Sequence, residues 1–332
     1  MKTSSSNSSV DIIIPIYNTP ANLLEQCFLS VLKQNYKNVK IIAVDDGSTR
    51  RKTLEIINKY SDGENFEVYE QKNMGVSAAR NTGLEHSAGD YVFFLDSDDY
   101  IDNDYIERLL SIMDEKRVRL VFSGKVGVPG NKNDAPFKDH FIDLESDSDV
   151  IALRAAAFTC CGVLIDGNLA RKQRFTTTTT MGEDTEYIIK VMTTGDSYFD
   201  GHGGCHYVQN TESLTHDIRI KSIRRFLDES VLEANALKKY INISNETNGI
   251  FLYSKITSAH RKLSLNYGAR MACQIVNAHI KKYDIKKPKM SLVIEHKLLS
   301  KGQKTRIILL SKGLYKCVSI INKAVFLFEG IK

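Results

Sequence analysis

Apolar runs and amphipathic stretches alternate along the first third of the chain, and that alternation predicts most of its elements. Residues 11–18 read as a strand ended by a turn, with Pro15, which has no amide to give a ladder, expected at the strand's exit. Residues 22–34 carry Leu23, Leu24, Cys27, Phe28, Val31 and Leu32 at helical spacing. A second apolar strand is expected over 39–44, and an amphipathic helix over 50–60 through Leu54, Ile56, Ile57 and Tyr60. A third, weaker strand covers 66–70, and a helix runs from about Val76 to His86. Residues 91–95 are apolar or aromatic without interruption, the composition of a strand buried on both faces. Strands and helices that alternate with short connections predict a mostly parallel sheet flanked by helices.

Beyond that point the pattern is less regular. A helix is expected over 105–115, a strand over 119–123 and a long polar loop over 124–149. An Ala-rich helix near 150–158 and an apolar stretch from Cys161 to Ile165 follow. The run Thr176–Thr180 has the composition of an exposed, mobile loop. From residue 217 helical spacing dominates, interrupted near 242–248 and at Pro288. The segment 303–328 sets Ile307, Leu310, Leu314, Val318, Ile321, Val325 and Phe328 at steps of three and four, with Gly313 dividing it.

Charge changes this picture in one respect. The net charge of +5 hides an asymmetry: residues 217–332 hold 23 Lys and Arg against 8 Asp and Glu. A basic, amphipathic helical tail fits an anionic surface such as a membrane interface, or packs on its own domain or on a second subunit. No apolar run is long enough for a transmembrane helix. Met1–Ser9, polar and Ser-rich, reads as a disordered lead-in and not as a signal peptide. The six cysteines are scattered, with neither zinc spacing nor a dense disulfide framework, which fits a reducing, cytoplasmic compartment.

The candidate chemistry sits at strand ends. Asp96-Ser97-Asp98-Asp99 closes the fourth strand, and hard oxygen ligands at the carboxyl edge of a sheet suit Mg²⁺ or Mn²⁺ shared with substrate phosphates. An acidic turn that caps the next helix would look the same. Two more loops, Pro15-Ile16-Tyr17-Asn18 and Asp45-Asp46-Gly47-Ser48, leave the same edge. Tyr17 offers a flat face for a base, Asp46 an acceptor for base or ribose, and Arg80, beyond Asn73, a cation. Together they suit a nucleotide diphosphate. The chain has neither Gly-x-Gly-x-x-Gly after the first strand nor a Gly-Lys-Ser/Thr loop, which counts against NAD enzymes and P-loop ATPases. Gly182-Glu183-Asp184 opens a further helix, where its acids serve either as a dipole-favoured cap or as a general base.

The set IPIYN, VDDGST, NMGVSAARNTGL, GDYVFFLDSDD and GED resembles that of the family 2 glycosyltransferases. The tract from His206 to Thr215 also resembles one of the family's, with Asn210 where the family commonly has Arg. The resemblance implies a GT-A fold, a Rossmann-like α/β sheet, over 10–216, with a nucleotide-binding half (10–123) and an acceptor and base half (124–216). A basic helical region, 217–332, follows. It implies an inverting enzyme that moves a sugar from a nucleotide diphosphate sugar, by family expectation a UDP-sugar, to a hydroxyl of a saccharide or lipid-linked acceptor. Pro15, Tyr17 and Asp46 would hold base and ribose, with Asn18, Asn73 and Ser97 beside them in the same motifs. Arg80 would lie near the base or phosphate, Asp96 near ribose and metal, and Asp98 on a Mn²⁺ or Mg²⁺ ion. Asp184 would be the base, and His206 or His216 a third metal ligand or a surface histidine. Such an enzyme would build surface polysaccharide, peripheral on the inner face of the cell membrane, with a second copy of itself as a partner.

Three other readings compete. A sugar-nucleotide pyrophosphorylase shares the sheet but normally shows a Gly-rich basic loop after the first strand, which IPIYNTP lacks. A catalytically silent relative acting as an interaction subunit would not need Asp96, Asp98 and Asp184 intact. A nucleic-acid binder would show a reading module, and none is recognisable here.

Overall fold

The structure is a computed structural model that describes residues 7–126, 139–142, 160–178, 182–208, 218–241, 244–295, 301–314 and 317–321. The described residues up to Ile142 and from Cys160 to Val208 form one compact unit, and those from Ile218 onward a second.

The first unit is built on a nine-stranded sheet. Strands β1 (Val10–Ile16), β2 (Val39–Asp45), β3 (Phe66–Glu70) and β4 (Tyr91–Phe94) pair in parallel in the order β3-β2-β1-β4. Between them run α1 (Ala21–Leu32), α2 (Arg51–Tyr60) and α3 (Val76–His86). Each β1 residue is buried, because helices cover both faces of the sheet. Ile12, Ile14 and Ile16 join a core with Leu24 and Phe28 of α1 and Ile57 of α2. Ile13 faces the other way, against α3, so closely that a Cβ at Gly83 would lie 2.3 Å from its Cγ2. Pro15 lies inside β1 rather than past it, paired with Val44, where the ladder to β4 has already ended at Ile13.

The rest of the sheet is mixed. Strand β8 (Val163–Asp166) runs antiparallel to β4 and to β6 (Leu120–Val126). Strand β9 (Ser197–His206) is parallel to β6 and antiparallel to the two-residue strands β5 (Tyr100–Ile101) and β7 (His140–Phe141). Thus β6 and β7 enter the stretch expected as a loop over 124–149, and β9 lies where the pattern predicted no strand. Helices α4 (Tyr105–Lys116), α5 (Gly167–Lys172) and α6 (Glu183–Met192) complete the unit. The expected helix near 150–158 lies outside the described residues. Asn7–Ser9 belong to the fold and not to a lead-in: Tyr36 Oη donates to the Ser8 carbonyl, and the Ser9 amide donates to Asp90 at 2.9 Å.

In the second unit, α7 (Ile220–Leu237), α8 (Asn245–Tyr267), α9 (Ala269–Lys282), α10 (Met290–Glu295) and α11 (Lys301–Ser311) share one apolar core. Ile223, Leu227, Val231 and Ala234 form the buried stripe of α7. The break at Pro288 falls between α9 and α10, and Gly313, at φ 75°, ends the helical turn after α11. Ile307, Leu310 and Val318 are buried in this core, so these positions of the 303–328 segment pack on their own unit. No helix among the described residues is long and apolar enough to cross a membrane.

One buried acid fastens the central strands. Asp11, 2% exposed, accepts from Ser87 Oγ and from the amides of Ala88 and Gly89 at 2.7–2.9 Å, fixing the turn from α3 into β4. An Asp11→Ala exchange strands those donors and is expected to cost about 2–4 kcal/mol of stability. Urea denaturation checks this.

Candidate active site

The three strand-end loops are stitched together by short polar contacts. Asn18, forced to φ 52°, accepts from the amides of Thr49 and Arg50 at 2.8 Å, and its own amide donates to Ser48 Oγ. Thr19 and Ser97 hydroxyls lie 2.7 Å apart, which joins the loop after β1 to the loop after β4. Tyr17 is 53% exposed. The loops expected to meet over one crevice therefore do meet.

Asp46 performs a structural task at this edge. Its carboxylate accepts from Gln71 Nε2 and from the amides of Met74 and Gly75, all within 2.8 Å. This shapes the turn that carries Asn73 into α3. Gly47 is required beside it: at φ 74° a Cβ would sit 2.9 Å from the Asn73 amide nitrogen.

At the centre is Arg80, 3% exposed. Its Nη1 donates to Asp184 at 2.6 Å and to Glu183 at 3.4 Å, and its Nη2 donates to Asp96 at 2.9 Å. Burial opposes the charge, but Asp184, Asp96 and Glu183 outweigh it and hold the guanidinium pKa well above its ordinary value. The ring of Phe175 lies 5.4 Å from the guanidinium carbon and stacks on Tyr187 at 3.9 Å. Phe175 is held in turn by Asn81, which exchanges two hydrogen bonds with its backbone. Arg80 and Asn81, adjacent on α3, thus position both the acids and the aromatic floor beneath them.

Gly182 is the N-cap of α6, and Glu183 and Asp184 lie in its first turn, where negative charge suits the dipole. Burial first, then the neighbouring Asp184, pushes Glu183 up to about 8, so it carries a proton at neutral pH.

The loop after β4 converges with another segment. Ligand atoms of Asp96, Asp99 and Cys161 lie within 4.8 Å of one another. Asp98 is half-buried beside them. Hard carboxylate oxygens on a strand-end loop suit a divalent cation in their chemistry. Asp99 does not cap α4: its Oδ1 accepts from the Val208 amide at 3.0 Å, which ties this loop to the end of β9. His206 points to Asp102, at 2.8 Å, and stacks on Tyr100. His216 and Asn210 lie outside the described residues.

Arg80, expected near the base or phosphate, is 3% exposed and engaged by protein carboxylates. Asn81 and Phe175 were not singled out as parts of the site; the Arg-Asn pair on α3 was the only signal for them. Thr176 of the threonine run is half-buried and donates to Glu186 at 2.7 Å.

Comparison with known proteins identifies the class. The Glycosyl transferase family 2 profile matches residues 11–177, half of the chain, and the chain belongs to that family. Glycosyltransferase GlyA of Streptococcus pneumoniae is 45% identical over 104 residues, covering 31% of this chain and 15% of GlyA. An uncharacterized glycosyltransferase of Haemophilus influenzae is 46% identical over 106 residues, covering 31% of this chain and 42% of the relative. The matches thus span less than half the length of these relatives. Staphylococcus aureus TarS 1–349, solved with UDP-GlcNAc, superposes with a TM-score of 0.64 at 16% identity, covering 95% of this chain and 89% of TarS 1–349. The mannosyltransferase PcManGT of Pyrobaculum calidifontis, solved with GDP-Man and Mn²⁺, gives 0.54 at 15% identity, covering 95% and 86%. These likenesses establish the GT-A fold.

The Glu183 proton has a measurable consequence. A folded-state pKa raised to about 8 adds stability that is complete below the ordinary carboxylate range and is lost as pH rises to about 8. The melting temperature of the wild type should therefore fall relative to Glu183→Gln between about pH 5 and 8. Parallel thermal melts across that range provide the check.

Proposed function

We propose that this chain transfers a sugar from a UDP-sugar to a hydroxyl of a saccharide or lipid-linked acceptor, with inversion at the anomeric carbon. The observation that carries this reading is the Arg80 cluster, which brings Asp184 of α6 and Asp96 of the loop after β4 to one guanidinium. A site for group transfer from a nucleotide sugar needs both a base for the acceptor and a seat for the leaving group. The family match and the UDP-GlcNAc bound to TarS support the donor class.

In this reading Tyr17 stacks on the base, while Pro15, Asn18, Asp46, Asn73, Asp96 and Ser97 line the nucleotide and ribose. Asp98 and Asp96 hold Mn²⁺ or Mg²⁺, which when bound stabilises negative charge on the departing diphosphate. The Mn²⁺ of PcManGT supports that choice of ion class. Asp184 takes the proton from the acceptor hydroxyl as its oxygen attacks from the face opposite the leaving group. One displacement forms the new glycosidic bond, breaks the bond to the diphosphate and inverts configuration. Residues 10–123 serve as the donor half, and 124–216 supply the base and the acceptor side. The basic region 217–332, with Lys281, Lys282, Lys286, Lys287 and Lys289 all exposed, suits an anionic membrane surface on the cytoplasmic side.

Asp184→Asn is expected to reduce transfer at least about 100-fold while leaving UDP affinity unchanged. Radiolabelled sugar transfer and UDP calorimetry on the same preparation test it; near-normal transfer would remove Asp184 from the base role.

A further inference from the structure

Between α1 and β5 lies a cleft of about 490 Å³, a volume within the range of small-ligand sites. Its α1 wall presents Asn22 and Gln26, exposed and one turn apart, and Tyr100, Asp102 and Asn103 stand on the other side. Bonds beneath the surface fix the two walls to each other. The Ile101 amide donates to Ser30 Oγ at 3.3 Å. Gln34, 1% exposed, donates to the Asp102 carbonyl at 2.6 Å and accepts from the Ile106 amide at 3.1 Å. The Tyr100 ring stacks on His206 at 4.4 Å, and His206 is bonded to Asp102 at 2.8 Å, so ring and carboxylate hold one arrangement. The cleft adjoins the candidate active site: Cys27, next to Gln26, donates its thiol to the Asp96 carbonyl at 3.6 Å, and Tyr100 directly follows Asp99.

We propose that this cleft is a subsite for a neutral saccharide and holds a part of the acceptor other than the hydroxyl that reacts. The proposal rests on the reading of the acceptor as a saccharide. The chemistry of the walls selects the class. The amides of Asn22, Gln26 and Asn103 offer donors and acceptors together, and the Asp102 carboxylate adds acceptors, the mixture that sugar hydroxyls require. Tyr100, half-buried, adds aromatic surface beside them. An apolar peptide or helix would find little to bury against, because the aliphatic members of the lining are Leu29 and Ile101, and Ile101 is 2% exposed. Glu25 and Asp102 offset Lys33 and the Lys59 ammonium bonded to Glu25, so the walls hold no surplus of positive charge for a phosphorylated or acidic sugar. A saccharide seated here lies beside the loop that carries Asp96 and Asp98 and takes no part in the chemistry itself.

The test needs no turnover. The full chain, methyl-labelled at isoleucine and leucine, is titrated by NMR with maltotetraose, cellotetraose and triacetylchitotriose, and with trigalacturonate as an acidic control. The Leu29 and Ile101 methyl signals are assigned by their loss in Leu29→Met and Ile101→Val. Both should shift with at least one neutral saccharide at a dissociation constant of about 5 mM or tighter, and trigalacturonate should bind at least about tenfold more weakly. The double variant Asn22→Ala/Gln26→Ala removes two exposed amides at helix positions that favour alanine, and circular dichroism establishes that it folds. It should weaken the saccharide at least about fivefold, while UDP affinity measured by calorimetry with Mn²⁺ changes less than about twofold. Three results would overturn the proposal: no neutral saccharide that shifts the two methyls, a double variant that binds saccharide as the wild type does, or trigalacturonate bound as tightly as the neutral sugars. A variant that loses UDP affinity as far as saccharide affinity would also overturn it, because these residues would then serve the donor. If the wild type neither binds UDP nor hydrolyses a UDP-sugar, the proposed function fails on its own, and the saccharide titration still decides the role of the cleft.

Discussion

Arg80, a buried cation only 3% exposed, is the constraint around which the first unit is arranged. Removing an ion from water costs several kcal/mol even after relaxation, so Arg80 is tolerable only with charged partners in good geometry. It has them from two segments, one after β4 and one at the start of α6. Three carboxylates around one cation would leave excess negative charge, and burial relieves this by keeping a proton on Glu183. Charge balance here is therefore a structural requirement as well as a chemical provision.

The sheet explains why such a cluster can form at this edge. Parallel strands β2, β1 and β4 end side by side, so the loops beyond them crowd into one region. Each loop carries polar residues that first satisfy their own backbone: Asn18 serves the amides of Thr49 and Arg50, and Asp46 the turn before α3. Asp11, further down β1, plays the same part for the turn before β4. Acidic and amide residues in these motifs hold loops in shape, and the loops then present Tyr17 and Asp98.

The parallel half of the fold was legible because strands buried on both faces read as continuous apolar runs, as in Ile12–Ile14 and Val92–Leu95, and their helices as amphipathic repeats. Strand β9 was not legible. Its centre, Asp200-Gly201-His202-Gly203-Gly204, has the composition of a turn, and Gly203 and Gly204 take positive φ within the strand. Strands β5 and β7, two residues each, are too short for any periodicity. At the site, spacing after strand ends located the acids but could not sort them by task. The bond from Arg80 to Asp184 crosses 104 residues of chain, and no local pattern encodes that pairing.

The central claim is that these loops seat a nucleotide diphosphate while Arg80 stays with Asp184. The most direct measurement is a crystal structure of the full chain with UDP and Mn²⁺. The account predicts uracil against Tyr17 beside Asp46, the diphosphate directed to Asp98 and Asp96, and the Arg80–Asp184 pair intact across from it. A nucleotide seated away from these loops, or an Arg80 that has left Asp184 for the phosphates, would contradict it.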